Sequence, residues 1–237
     1  MTRDILINQI ERDGPAIAKT FDQLAKEDIR IISEVIADTM SLIFRHIKHD
    51  NKDYKPTSAR LLSNAMSTFM ASIEVARHGF RRPYGAMSRG IIETLATVLH
   101  IVIEPDALTN FHNGRLSSTR SISVAKKVFP PFGEMYGMLS NQFVHTSKSH
   151  AGFEPIAKYE PGEEPLEFIV SSLKTNAWLM YVVAELVFHD ELLKPRYWNN
   201  IGHGAFLYDP STEERVWQKR FLAGEVAKMK RRSPLAD

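Results

Sequence analysis

The chain has 237 residues, 43% hydrophobic and 24% charged, with a formal net charge of +2. This is an ordinary globular composition, long enough for one substantial core, and it disfavours the disordered and membrane classes. The absence of cysteine excludes disulfides, thiolate zinc sites and a cysteine nucleophile, and it is compatible with a reducing cytoplasm. The opening MTRDILINQIERDG mixes acids and bases and lacks the apolar run of a signal peptide, so the expected location is cytoplasmic.

Helical periodicity dominates the chain. After Gly14-Pro15, the residues Ile17, Phe21, Leu24, Ile29, Ile32, Val35, Ile36, Met40, Ile43, Phe44 and Ile47 predict one long helix with a buried face, reaching about His49. Pro56 opens a second helix with Leu61, Leu62, Ala65, Phe69, Ile73 and Ala76 inward, ending near Gly79. A third runs from about Pro83 to Glu104, and a more polar one from Pro105-Asp106 to about Phe129. After Pro130-Pro131, the narrow apolar face Phe132, Met135, Tyr136, Leu139 and Phe143 predicts a further core helix.

Residues 146–165 contain three prolines and two glycines and predict a loop long enough to cover a site. Leu166 to Leu193 is helical again, with Phe168, Leu173, Trp178, Tyr181, Val182, Leu186 and Val187 inward. A Gly-rich, aromatic connector from Tyr197 to Tyr208 leads to a last helix, announced by the capping box Ser211-x-x-Glu214 and burying Val216, Trp217 and Phe221. No alternating strand pattern and no repeat is evident. The expected fold is all-α, a multi-helix bundle around one central core, forming a single domain over 1–237 with a core at 15–193 and a C-terminal helical extension at 194–237.

Charge is unevenly spread. Residues 219–237 carry six basic and two acidic side chains, a net of +4, which leaves −2 on the rest. A solvated end explains such a tail more readily than nucleic-acid contact does. The apolar stretches 91–103 and 178–188, interrupted by Glu93, His100 and Glu185, fall short of the ~20 residues of a bilayer span, so no membrane partner is expected.

The third helix carries the most informative pattern. Arg89, Glu93, Thr97, His100 and Glu104 lie within an arc of roughly 80° at about 100° per residue, on a segment otherwise filled by Ile91, Ile92, Leu95, Val98 and Leu99. A mostly buried helix with one polar stripe is expected. Arg89 and Glu93 are the part to weigh as a site; Thr97, His100 and Glu104 read as its solvent-facing continuation.

Motifs narrow the chemistry. There is neither a phosphate-binding Gly-x4-Gly-Lys-Ser/Thr loop nor a His-Glu-x-x-His zinc helix. Gly85-Ala-Met-Ser88-Arg-Gly90 has one residue too many for a nucleophile elbow and sits in a helix, so Ser88 reads as structural. Di-iron bundles need Glu-x-x-His, which is absent; Glu74/His78, Glu185/His189 and His46/His49 could each share a helix face but read as surface pairs, so neither metal nor cofactor is expected. The Arg-x4-6-His mark of HEPN-type ribonucleases occurs only as Arg196 to His203, in a stretch broken by Pro195, Gly202 and Gly204.

Met87-Ser-Arg89-Gly-Ile-Ile-Glu93, Glu104-Pro-Asp106, Met138-Leu-Ser140 and Val144-His145-Thr-Ser147 resemble a widespread family of uncharacterised bacterial all-helical domains, over roughly residues 60–190. That family's marks are Arg-x-x-x-Glu in one helix and Leu-Ser followed by Val-His in a later one. The resemblance nominates Arg89, Glu93, Ser140 and His145 and implies a fold, not a reaction.

Three functional readings follow. In the first, these four residues form an interhelical polar cluster for an anionic ligand or protein partner, with Arg77, His78, Arg81 and Arg82 as a basic rim. In the second, a metal-independent phosphodiesterase or ribonuclease-like enzyme uses Arg89 as anion clamp, His145 as acid or base and Glu93 as its orienting partner. The third is a structural homodimer without a small-molecule site. A plain helix-locking bridge of Arg89 and Glu93 competes with all three. One constraint is geometric: Ser140 and His145 are about 140° apart on a continuous α-helix, so the helix must end or turn near Val144 for both to serve one site.

Overall fold

The computed structural model describes residues 3–49, 51–146, 148–152 and 155–224. The basic cluster beyond Gly224 lies outside them. Helix α1 (Ile5–Asn8) passes through a π-turn, Gln9–Asp13, into the long α2 (Gly14–Ile47), with Pro15 in its first turn. Next come α3 (Tyr54–Arg77), α4 (Arg81–Ile103), α5 (Ala107–His112), α6 (Ser118–Val128), α7 (Pro131–Leu139), α8 (Glu164–Val187) and α9 (Thr212–Ala223). The all-α bundle expected from periodicity is present.

Its centre is α8. From Asn176 to Phe188 every side chain is buried, so this segment is apolar nearly all round and has neighbours on every side. Helix α2 packs on α3 and α8, and α4 is surrounded by α3, α6, α7 and α8. By length and composition α4 would also suit a bilayer, but here those four helices take up its apolar surface. One hydrophobic cluster joins Ile17 of α2 to Phe221 of α9, so the C-terminal segment shares the core.

The structure departs from the sequence reading in four places. The helix expected from Pro105 to Phe129 is two: Gly114, at φ 66°, ends the first, and Ser117 caps the second by accepting a hydrogen bond from Arg120 N at 3.3 Å. Helix α6 thereby folds back onto α4. The connector is not irregular either; Trp198–Gly202 (β1) and Ala205–Tyr208 (β2) form an antiparallel hairpin. Phe44, expected in the core, is 62% exposed on the last turns of α2, with Lys48 Nζ 6.0 Å from its ring centre. Val216 is likewise exposed, whereas Trp217 and Phe221 are buried, and the Ser211 cap forms as expected, to Glu214 N at 3.3 Å.

The hairpin is held by a buried acid. Glu185 of α8 is fully buried, and its Oε1 accepts hydrogen bonds from the backbone N–H groups of Arg196, Tyr197 and Trp198 at 2.9, 2.6 and 3.0 Å. Its Oε2 meets no hydrogen-bond partner. Burial raises the Glu185 carboxyl above its ordinary range against the pull of the three N–H donors. Arg196 lies over the Tyr181 ring at 5.2 Å and pairs with Asp38 at 3.2 Å, tying the same strap to α2 and α8.

The long loop lies between Val144 and Glu164, with a short 3-10 turn at Lys148–Ala151. Buried Tyr159 anchors it: its hydroxyl donates to Ala76 O at 2.5 Å, and its N–H donates to Thr20 Oγ1 at 3.1 Å.

Candidate functional site: the seam between α4 and α7

Helix α4 presents three polar faces rather than one stripe. Toward α8, Tyr84 bonds Ser172 and Asn176 Nδ2 donates to Ser88 Oγ at 2.7 Å, all four residues buried. Matching i, i+4 steps on both helices make this a register lock, the structural role expected for Ser88. Toward α6, His100 lies 3.1 Å from Ser121 Oγ through Nδ1 and 2.9 Å from Glu104 through Nε2. The expected solvent-facing continuation is therefore wrong at His100, which is fully buried because α6 covers it. The hydrogen bond from His100, aided by Arg120, holds the Glu104 carboxyl below its ordinary range.

The third face meets α7. Arg89 Nη2 donates to Glu93 Oε1 at 3.0 Å and to the Tyr136 hydroxyl at 2.8 Å, and the guanidinium lies 4.9 Å from the Tyr136 ring centre. Both charged side chains are half-buried, 21% and 26% exposed, where a guanidinium needs several acceptors. Arg89 Nε is buried and has no hydrogen-bond partner. Tyr136, read from sequence only as a core residue, is thus the cluster's third member. Tyr136 precedes Ser140 by one turn on the same face, but its spacing does not tell which helix its half-buried hydroxyl meets.

Beyond α7 the backbone opens into a π-turn, Ser140–Val144, closed by His145 N donating to Ser140 O at 2.8 Å. The turn required near Val144 is present, and such turns are frequent at functional positions. Phe143 lies directly on Gly85: a β-carbon there would come within 2.2 Å of the ring. Since Tyr136 meets Arg89 and Phe143 meets Gly85, Ser140 falls between them along the same seam. It is buried, and its Oγ has no hydrogen-bond partner.

His145 behaves differently. It is exposed, its backbone is already extended, and its side chain bonds no other described residue. Glu93 is engaged by Arg89, and it lies two helical turns, roughly 12 Å, beyond the Gly85 level at which the π-turn packs. The seam brings Arg89, Glu93 and Tyr136 together, with Ser140 one turn further along the chain toward Phe143, but no His145–Glu93 pair forms.

The basic rim is already engaged. Arg77 pairs with Asp22 at 2.6 Å and Glu74 at 2.7 Å. Arg81 pairs with Glu164 and lies over the rings of Phe143 and Phe168 at 5.9 and 5.3 Å; Arg82 donates to His150 O at 3.3 Å. Arg81 and Arg82 line an open cleft of about 300 Å³ with Gly79, Phe80, Gly152 and Ile156. The paired acids and histidines serve the fold: Glu185 Oε1 and His189 Nε2 both bond the hairpin backbone, the latter at 2.9 Å from Trp198 O, His78 Nδ1 lies 2.8 Å from Glu74 O, and the His46 and His49 ring centres lie 6.0 Å apart. The HEPN-like spacing ends in the hairpin turn, where His203 has φ 52°.

Comparison with protein-family models, with curated proteins and with solved structures finds no match.

Proposed function

We propose that this chain is a cytoplasmic helical recognition domain whose α4–α7 seam takes an oxyanion, a carboxylate or phosphate carried by a small ligand or a protein partner. The observation that carries this reading is the pair of unsatisfied buried groups in one seam, Arg89 Nε and Ser140 Oγ. Buried donors without partners are uncommon, and with Arg89 Nη2 taken by Glu93 and Tyr136, the Nε–H and the Ser140 hydroxyl are the donors this seam has left for an oxyanion. Catalysis has less support, because His145 lacks the orienting carboxylate that a general base at this position calls for.

Calorimetric titration of the full chain with inorganic phosphate and with acetate tests the proposal. At least one is expected to bind saturably, and Arg89→Ala to weaken it tenfold or more with little change in the urea midpoint. Unchanged binding with a lowered midpoint would make Arg89 a helix tie and nothing more. Ribonuclease assays of the wild type and His145→Ala address the alternative, with no cleavage expected from either.

A homodimer is a second reading with its own support. Ile5, Leu6, Ile7 and Ile10 are exposed by 54–75% on adjoining turns of α1 and its π-turn, and clustered exposed apolar residues favour association. Sedimentation velocity should then give a dimer that Leu6→Glu/Ile10→Glu converts to monomer; a wild-type monomer at tens of micromolar ends this reading.

A further inference from the structure

On α4 the seam residues Gly85, Arg89 and Glu93 follow one another at steps of four, and Arg81 begins the same row one turn before Gly85. Its guanidinium lies 5.9 Å from the centre of the Phe143 ring and 5.3 Å from that of Phe168, and its Nη2 donates to Glu164 Oε1. The two rings stack on each other at 5.2 Å, with 30° between their planes. Phe143 thus has Gly85, Phe168 and Arg81 around it. The Arg81 side chain is only 23% exposed, so these attractions act partly out of water, where a cation over a ring gains most.

The same contacts gather both ends of the long loop. Phe143 belongs to the π-turn at its start, whereas Glu164 and Phe168 belong to the first turns of α8 at its end. A planar cation can spread over two rings and still pair with a carboxylate, a geometry that lysine does not reproduce.

The π-turn is where this hold matters. Such turns are rare and short, and the bond that marks this one, His145 N to Ser140 O at 2.8 Å, spans five residues. Within it Asn141 and Gln142 are exposed, and Ser140 Oγ bonds nothing. Phe143, with half-buried Val144, is left to fix the turn against the bundle.

We propose that Arg81 is a positioning residue. By clamping Phe143 onto Gly85 it holds the Ser140–Val144 π-turn, and through that turn it sets where the Ser140 hydroxyl stands in the seam. The consequence for ligand binding rests on the oxyanion reading of the seam; the hold on the turn does not.

Amide hydrogen exchange of the full-length chain tests the hold, and calorimetry with inorganic phosphate and acetate tests its consequence. Arg81→Met keeps an apolar stem but neither charge nor plane. In it the His145 N–H should exchange at least tenfold faster, while the Ile92 N–H, in the middle of α4, changes less than twofold. Arg81→Lys, which keeps the charge alone, should recover part of the protection. The anion that binds the wild type should bind Arg81→Met at least threefold more weakly, although Arg81 stands two helical turns, roughly 12 Å, from Arg89. Circular dichroism checks that both variants are folded. Unaltered exchange at His145 in Arg81→Met, or acceleration of equal size at His145 and Ile92, would overturn the proposal. So would an unchanged anion affinity beside an accelerated His145. If neither anion binds the wild type, the seam reading fails, and the exchange of His145 still decides whether Arg81 holds the turn.

Discussion

Glu185→Ala should lower the unfolding free energy by roughly 3–5 kcal/mol, the largest loss expected from any single substitution considered for this chain. The deletion leaves three backbone donors of residues 196–198 without their acceptor, and two of them, on Tyr197 and Trp198, are buried. A buried unsatisfied N–H costs about 1–3 kcal/mol, and the missing side chain adds a void beside Tyr181 and Tyr197. In a chain this long, each kcal/mol shifts the melting temperature by about 2–4 °C. Loss of the near-ultraviolet signal of Trp198 should accompany the drop, since the hairpin is the element released.

Glu185→Gln separates charge from hydrogen bonding. Because burial raises the folded-state pKa of Glu185, the folded chain binds that proton more tightly than the unfolded chain does. Its contribution to stability is complete below the unfolded value near 4.5 and is lost as pH rises through the folded one. The glutamine variant keeps the Oε1 acceptor and has no proton to lose. Its stability relative to wild type should therefore climb with pH across that window and level off above it. Urea midpoints of both proteins at a series of pH values measure the difference; parallel curves would mean that Glu185 keeps its ordinary pKa.

This acid also marks where sequence reading stopped. Glu185 interrupts an apolar run and stands four residues before His189, a spacing typical of exposed helix pairs, and periodicity cannot tell an exposed acid from one clipped to a distant backbone. The hairpin escaped for the same reason. Its strands do not alternate in hydrophobicity; their open end is fixed by Glu185, a contact made across the fold, and closed by Asp209 N donating to Tyr197 O at 2.9 Å. The long helices were legible because their own spacing carries the signal: Ile17, Phe21, Ile32, Val35 and Ile43 are all buried as their positions imply. Arg89 and Glu93 were legible as a pair for similar reasons, and the turn near Val144 followed from the angle between Ser140 and His145. Tyr136 and the cover over His100 were not, since each depends on which helix lands opposite α4.

Gly85→Ala tests whether that landing is as tight as it looks. The new methyl group would come within 2.2–2.6 Å of three ring atoms of Phe143, so the ring must move. It has little room: Phe143 stacks on Phe168 at 5.2 Å, and Arg81 lies over both rings. Overpacking at such a contact costs roughly 1–3 kcal/mol, and the strain falls on the π-turn that carries Ser140. If the clash with Phe143 is the whole cause, a double-mutant cycle removes it: Gly85→Ala should cost little in a Phe143→Ala background, where alanine's intrinsic helix preference over glycine, about 1 kcal/mol, offsets what remains. The same cycle read by oxyanion titration bears on the seam. Gly85→Ala should weaken binding through displacement of Ser140, and Phe143→Ala/Gly85→Ala should restore part of it. A full energetic cost persisting without the ring would place the strain in the helix backbone and separate Gly85 from the site.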